Sequence, residues 1–503
     1  MTILFRDVSL FFLAGVTAKG LGVLKAFWLA RILDPAEFGI WVFLLLTTSF
    51  APILSLGTVE TLMKKVPFFR GKGDLASARE IEEAVFTFML IVALALFLAG
   101  IPARAFLSEG PYQKYALPAQ LMLFATSFSL LSAFLFYRLQ SYQRFDLASA
   151  VTTARSVLVL VCQIPLGYIM GLTGVFVGFL LSEVLVLGCS VFLNTRLPKI
   201  ATLRFGFSLY GVLIRTGLPI TIVWWTYMIQ TSVDRIVSMS MLGEAPTGYY
   251  GIGMSIALTF LLLPDSINQV LYPSVNKEYG RTMSSRSLSP LVVDPAYMMS
   301  IFLPFLACIS VVVLPFIFTI IVPKYLPGLV TAQLLVVAAL YTGIMRGGTN
   351  LLISIDKQWL LLSYIGGAVV TNLCGTIVFV KLGLGIEGIA LSTVISSALL
   401  NIAVWVSVFR ALGSEAKASI ASALDLFAPA MLFTLLTIIS QVFFKSITAF
   451  SLGYFTIVGV QIVLNWSILL AIPHYRKLIV KAIRSLSEAI GKMSKRQAST
   501  TAG

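Results

Sequence analysis

The chain has 503 residues, 58% of them hydrophobic and 11% charged, with a mean hydropathy of +0.96. Soluble proteins carry about 25% charged residues, so this one has too little polar surface to face water, and its solvent is a bilayer. The formal charge of +15 would suit nucleic acid if it were gathered on a soluble segment, but most of the basic residues sit in short connections between apolar runs, a membrane-orientation signal.

A spanning helix needs about 20 largely apolar residues at 1.5 Å rise each. In chain order such stretches fall near 8–30, 38–61, 82–101, 117–137, 147–170, 173–193, 213–240, 248–271, 295–322, 326–352, 360–381, 386–409, 424–444 and 450–472. They predict an all-α polytopic membrane protein of about 14 transmembrane helices. Open sheets are excluded because backbone groups in lipid must be satisfied within one segment, and the runs are too continuous for barrel strands. No connection is long enough to bury a core of its own, and no G-x-x-x-x-G-K-[ST] loop is there to bind nucleotide. With both termini in the cytoplasm, 25 Lys and Arg at or beyond the ends of the spans fall on that side. Only 6 fall on the other: Arg31, Arg104, Lys114, Lys324, Lys381 and Lys445. The first run reads as a retained helix rather than a signal peptide, because Lys19 and Lys25 interrupt it. The basic tail, 476–503, is expected to lie on anionic membrane lipid.

Five basic residues fall inside predicted spans: Lys19 and Lys25 in the first, Arg155 in the fifth, Arg235 in the seventh and Arg346 in the tenth. Each costs at least ~2.5 kcal/mol near a helix centre, which places them in a polar cavity rather than against lipid. The alternatives are a structural ion pair or snorkelling to the interface. Lys19 is flanked by Gly15, Gly20 and Gly22, which either open that face of the helix or let another helix pack closely. In the seventh span Thr226, Gln230, Asp234 and Ser238 form an i+4 polar stripe. In the eighth, Asp265, Ser266, Asn268 and Gln269 follow Pro264. Acidic residues within or near spans are fewer, namely Glu60, Glu183, Asp234 and Asp265, so the balance is positive and suits a phosphate or diphosphate. Asp234, Glu60 and Asp265 are candidates to take a coupling Na⁺ or H⁺, or else are structural carboxylates. Cys162, Cys189, Cys308 and Cys374 lie in spans without C-x-x-C spacing, and His474 is the single histidine, so no catalytic or metal constellation is expected.

The chain repeats itself. Residues 33–41 align without gaps on 242–250 at an offset of 209, and Gly171-Leu-Thr-Gly174 aligns on Gly385-Ile-Glu-Gly388 at 214. Six helices separate the copies, so the repeat is parallel, with an axis along the membrane normal and a cleft between two six-helix lobes. The expected organisation is an N-lobe at 1–195, a C-lobe at 196–410, two further helices in 411–475 and the tail at 476–503. Pro52 and Pro264 occupy matching places, where interrupted helices either border a transport site or are ordinary kinks.

Several short motifs carry a resemblance. They are Ala30-Arg-Ile-Leu-Asp-Pro-Ala-Glu-Phe-Gly39, Asp234-Arg235 followed by Leu242-Gly243 and Gly248-Tyr-Tyr250, Tyr142-Gln-Arg-Phe145 and Tyr325-Leu-Pro-Gly328. Together they resemble the polysaccharide exporters of the multidrug/oligosaccharidyl-lipid/polysaccharide (MOP) superfamily, particularly Wzx-type O-antigen and exopolysaccharide flippases. That resemblance implies a MATE-like fold and no enzymatic activity. The implied cargo is an undecaprenyl-diphosphate-linked oligosaccharide, moved across a bacterial inner membrane alongside a polysaccharide polymerase and glycosyltransferases. It also implies that Lys19, Arg155, Arg235 and Arg346 contact the diphosphate or sugar. A peptidoglycan-precursor flippase and a multidrug exporter of the same superfamily are the rivals, and excess basic charge disfavours the second.

Overall fold

Capping chemistry sets the first boundaries. In a computed structural model, which describes residues 2–109, 113–200 and 202–443 with positions 459 and 467, every regular element is helical. The expected span at 450–472 and the tail at 476–503 lie outside the described residues. Helix α1 (Thr2–Ile32) gives way to α2 (Pro35–Phe50) through a capping box. The Glu37 amide donates to Asp34 Oδ1 at 2.8 Å and the Asp34 amide to Glu37 Oε2 at 3.2 Å, with Pro35 preset for the first turn. The helices α3 (Thr58–Gly71), α4 (Leu75–Leu107), α5 (Gln113–Ser141), α6 (Phe145–Asn194) and α7 (Phe207–Gln230) follow. Next come α8 (Val233–Val237), α9 (Glu244–Phe260), α10 (Leu262–Thr282), α11 (Ser289–Phe316) and α12 (Leu329–Ser354). The described helices end with α13 (Gln358–Lys381), α14 (Gly385–Ala411) and α15 (Ala416–Phe443).

Among the described residues ten helical segments are long and apolar enough to span a membrane, or eleven if the halves of α7, bent by 49°, count as one span. The sequence predicts about fourteen; one of these, 450–472, lies outside the described residues, and the rest of the difference has local causes. The expected fifth and sixth spans form one element, α6, whose 50 residues are broken only at Gly171 (φ 60°, ψ −138°). The bend in α7 falls at Pro219, where the helix lacks an amide donor. The expected eighth span is two helices meeting at Leu261, α9 and α10, because Pro264 and the polar residues after it end the apolar run. Pro52 also sits at an interruption. There α2 passes into a 3₁₀ turn, Ala51–Ser55, and the chain leaves through Leu56 and Gly57 with φ of 49° and 85°.

The described residues form two compact units, 2–259 with 321–331 and 365–392, and 260–320 with 332–364 and 393–443. In the first, α3, α4 and α5 enclose Leu62, Val66, Ala84, Val85 and Phe134, all fully buried together with Leu213 of α7. In the second, Trp405 is fully buried and its indole donates to the Ile344 carbonyl at 3.3 Å.

The repeated motifs have matching backbone roles. A β-carbon on Gly39 would lie 1.9 Å from the Glu244 carbonyl oxygen, and one on Gly248 would lie 1.9 Å from that of Pro35. Pro35 and Glu244, like Gly39 and Gly248, are 209 residues apart, so the first turns of α2 and α9 meet in a reciprocal contact. Gly171 and Gly385, the other matched pair, both take the left-handed region with φ of 60° and 54°, which glycine adopts without steric penalty.

Candidate functional site

Small residues on α5 let a guanidinium approach. Arg155 of α6 donates from Nη2 to Ser132 Oγ at 2.7 Å, and from Nη1 to Ser129 Oγ at 3.4 Å and Glu183 Oε1 at 3.0 Å. Glu183, on the second half of α6, is 1% exposed, whereas 34% of the Arg155 side chain stays open. Lys25 reaches in from α1 and lies over the Trp41 ring at 5.6 Å, within electrostatic range of Glu183. Tyr137 stands within range of both Arg155 and Glu60. Glu60 bonds to Thr221, and its Oε2 is buried without a hydrogen-bond partner among the described residues. Glu60, Tyr137, Arg155, Glu183 and Lys25, on α3, α5, α6 and α1, thus lie successively within electrostatic range, with one direct ion pair among them, Arg155 with Glu183.

The other expected residues are distributed differently. Asp234 is 1% exposed, accepting from the Tyr250 hydroxyl and, at 2.9 Å, from the Arg235 amide. The predicted i+4 stripe is not continuous. Thr231 and Ser232 separate α7 from α8, and Thr226 turns back to the Ile222 carbonyl at 2.9 Å. Arg235 folds back onto the connection between α7 and α8, donating to the Thr231 carbonyl at 2.8 Å, with Nε buried and without a hydrogen-bond partner among the described residues. Lys19 is exposed, and a β-carbon at Gly15, Gly20 or Gly22 would meet nothing within 4 Å, so the glycines make an open face rather than a close helix contact. In the second unit Arg346 Nε pairs with Asp265 Oδ1 at 2.9 Å, and Asn350 donates to Asn268 at 2.7 Å. Arg346, Asn268 and Asn350 border a cavity of about 30 Å³ between Pro264, Pro295 and Gly343. Of the two alternatives weighed for these cations, the ion pair is realised twice, Arg155 with Glu183 and Arg346 with Asp265, so Asp265 is engaged with a guanidinium.

One buried cation was missed. Arg138, expected among the cytoplasmic connections, is 3% exposed. It pairs with Glu82 at 3.0 Å and donates to Asn194 Oδ1 at 3.3 Å and to the Pro198 carbonyl. Tyr142 bonds to Glu82 and has Arg70 over its ring at 3.8 Å. Burial, reinforced by Glu82, pushes the Tyr142 phenol up to about 12. The segment after Asn194 is drawn onto α4 by neighbouring contacts: Thr202 donates to Glu83 at 2.8 Å, the Arg204 amide to Thr87 at 2.9 Å, and Arg204 pairs with Glu80. Glu82 and Glu83 at the entry of an apolar run were the available signal.

This fold has solved relatives. The structure "Lipid II flippase MurJ, inward closed conformation" aligns with a TM-score of 0.69 at 15% identity, covering 93% of this chain and 99% of the other. An inward-facing multidrug resistance MATE family transporter of the MOP superfamily aligns at 0.65 and 15% identity over 82% and 96% of the two chains. A MOP superfamily transporter from Pyrococcus furiosus, whose title notes reverse polarity of the binding pocket, aligns at 0.58 and 14% over 84% and 96%. No curated protein sequence matches. The family model described as "Polysaccharide biosynthesis protein" matches residues 28–330, more than half of the chain. The chain belongs to that family, and its likeness to the solved structures shows a multi-pass helical fold shared with MurJ and the MATE transporters.

Proposed function

We propose that this protein is a flippase that moves undecaprenyl-diphosphate-linked oligosaccharide from the cytoplasmic to the outer leaflet of a bacterial inner membrane, for O-antigen, capsule or exopolysaccharide synthesis. Two six-helix halves expose the cargo alternately, the diphosphate held in a positive cleft while the polyprenyl tail stays in lipid. Polysaccharide polymerase and glycosyltransferases act beside it. The family match supports a role in polysaccharide synthesis, and similarity to a protein titled a lipid II flippase supports a lipid-linked saccharide as cargo.

The observation that carries the reading is the charge balance around Glu183. Lys25 and Arg155 share that one carboxylate, and apart from that site, on α8, Arg235 forms no ion pair among the described residues. A site left positive at membrane depth is costly unless an anion is its ligand. Cells lacking the gene, complemented by wild-type protein, should regain surface polysaccharide. The double variant Lys25→Gln/Arg235→Gln, at matched membrane abundance, should export about tenfold less, the effect of losing roughly 1.4 kcal/mol of charge-assisted contact. Undiminished polysaccharide would refute the cargo assignment. The MurJ likeness favours one second reading, a peptidoglycan-precursor flippase. Deletion separates the two, since loss of viability supports the precursor and loss of a surface glycan alone supports the exporter.

A further inference from the structure

The site above holds a carboxylate that the cargo reading does not use. Glu183 is almost wholly buried; one of its oxygens is bound to Arg155 at 3.0 Å, and the other, Oε2, has no hydrogen-bond partner among the described residues. Arg155, by contrast, keeps a third of its side chain open while two serines hold its other contacts. An anion arriving at that open edge competes with Glu183 for the same guanidinium, and two adjacent anions on one cation repel.

We propose that Glu183 is a proton-binding counter-anion: ionised, it occupies Arg155 in the empty site, and protonated, it yields Arg155 to the diphosphate of the cargo. The step balances as one proton added to one carboxylate oxygen, with Oε2 as the acceptor that lacks a donor. The charge of Lys25, Glu183 and Arg155 together rises from +1 to +2 as the proton binds, and the headgroup then fills the vacated position. By linkage, anion binding raises the proton affinity of the site and a lower pH raises the affinity for the anion. This inference rests on the diphosphate reading above and names its coupling group.

The surroundings favour a proton over a metal cation. From α1 the group facing Glu183 is Lys25, and from the first half of α6 it is Arg155. From α5 come Ser129 and Ser132, with Tyr137 near Arg155, while Arg138 on that helix is engaged by Glu82. Helix α2 brings Trp41; its one charged residue, Glu37, is held in the capping box. Asp146, at the start of α6, is paired with Arg144. A hard cation needs several oxygen ligands, and beside two positive side chains a single free carboxylate oxygen offers Na⁺ a poor site.

The test uses purified full-length protein in detergent with geranylgeranyl diphosphate as the probe. Its binding is measured by calorimetry between pH 6 and 8 in two buffers of different ionisation enthalpy, which counts protons taken up. Wild-type affinity should rise as pH falls, by up to about tenfold per pH unit for one linked proton, with uptake beyond that of the probe's own titration. Glu183→Gln, an isosteric mimic of the protonated acid, should bind at pH 8 as tightly as wild type at pH 6 and should show only the probe's own proton uptake. The same pH dependence in Glu183→Gln and wild type would overturn the proposal. So would affinity that follows Na⁺ at fixed pH. Should Glu183→Gln fail to accumulate, the wild-type proton count decides alone: no uptake beyond the probe's own overturns the proposal. Failure of wild-type protein to bind the diphosphate at any pH would instead bring down the cargo reading, and this inference with it.

Discussion

Two arginines of the same chemistry are put to opposite uses. Arg138 is 3% exposed and its guanidinium is taken up by Glu82, Asn194 and the Pro198 carbonyl, whereas Arg155 leaves an edge open. Removing one partner of a buried pair strands the other charge, which costs about 3–5 kcal/mol, while replacing both with apolar residues is close to neutral. Arg138→Met should therefore lower the thermal midpoint in detergent sharply, and Arg138→Met/Glu82→Leu should recover most of the loss. Equal destabilisation by the single and double variants would show that Arg138 contributes through packing alone. Arg138 follows directly on the predicted span 117–137 and so reads as part of a cytoplasmic connection, not of the interior. Its burial depends on the segment after Asn194 folding back onto α4, a contact between residues about 60 apart that no local pattern announces. Arg155, Glu183 and Arg346 were legible as intramembrane charges because charge in an apolar run stands out, but which acid meets which base is a matter of helix rotation, and periodicity does not supply it.

At the level of elements, what proved legible was local. The interruptions at Pro52 and Pro264 are properties of a few consecutive residues, and both stand in the structure; the Asp34–Glu37 capping box and the positive φ of Gly171 are equally local but were not read from the sequence. Span counting was less secure, because α7 to α10 are short or bent helices in a stretch whose composition alone reads as two long spans. The reciprocal contact of α2 with α9 gives the sequence repeat a physical reason: at Gly39 and Gly248 a side chain would occupy the partner helix's backbone. Gly248→Ala should force the two first turns apart, lowering both the thermal midpoint and export. Gly20→Ala, on the open face of α1, should leave the midpoint unchanged or raise it slightly, since alanine is the better helix former by up to about 1 kcal/mol. A neutral Gly248→Ala would mean that the crossing is not a fixed contact of the folded protein.

For the molecule as a whole, orientation determines the direction of the proposed transport. Contacts within the first unit sort into two ends. One joins Arg70 to Tyr142, Arg138 to Pro198, Glu80 to Arg204 and Glu83 to Thr202. The other joins Tyr325 to Asp34, Glu244 to Lys114 and Tyr115, and Gly39 to Glu244. The first end also carries exposed Arg70, Lys72 and Arg79, part of the basic excess that the positive-inside rule assigns to the cytoplasm. In a cysteine-free background, Lys72→Cys should react with a membrane-impermeant maleimide only after permeabilisation, whereas Lys114→Cys, 55% exposed in the native side chain, should react in intact cells. The opposite labelling would turn the molecule over and with it the proposed direction of transport. Labelling of both from one side would break the two-ended arrangement itself. The expected pattern would put the Arg70–Tyr142 end toward the leaflet where a lipid-linked saccharide is assembled, and the α2–α9 crossing toward the side on which it is released.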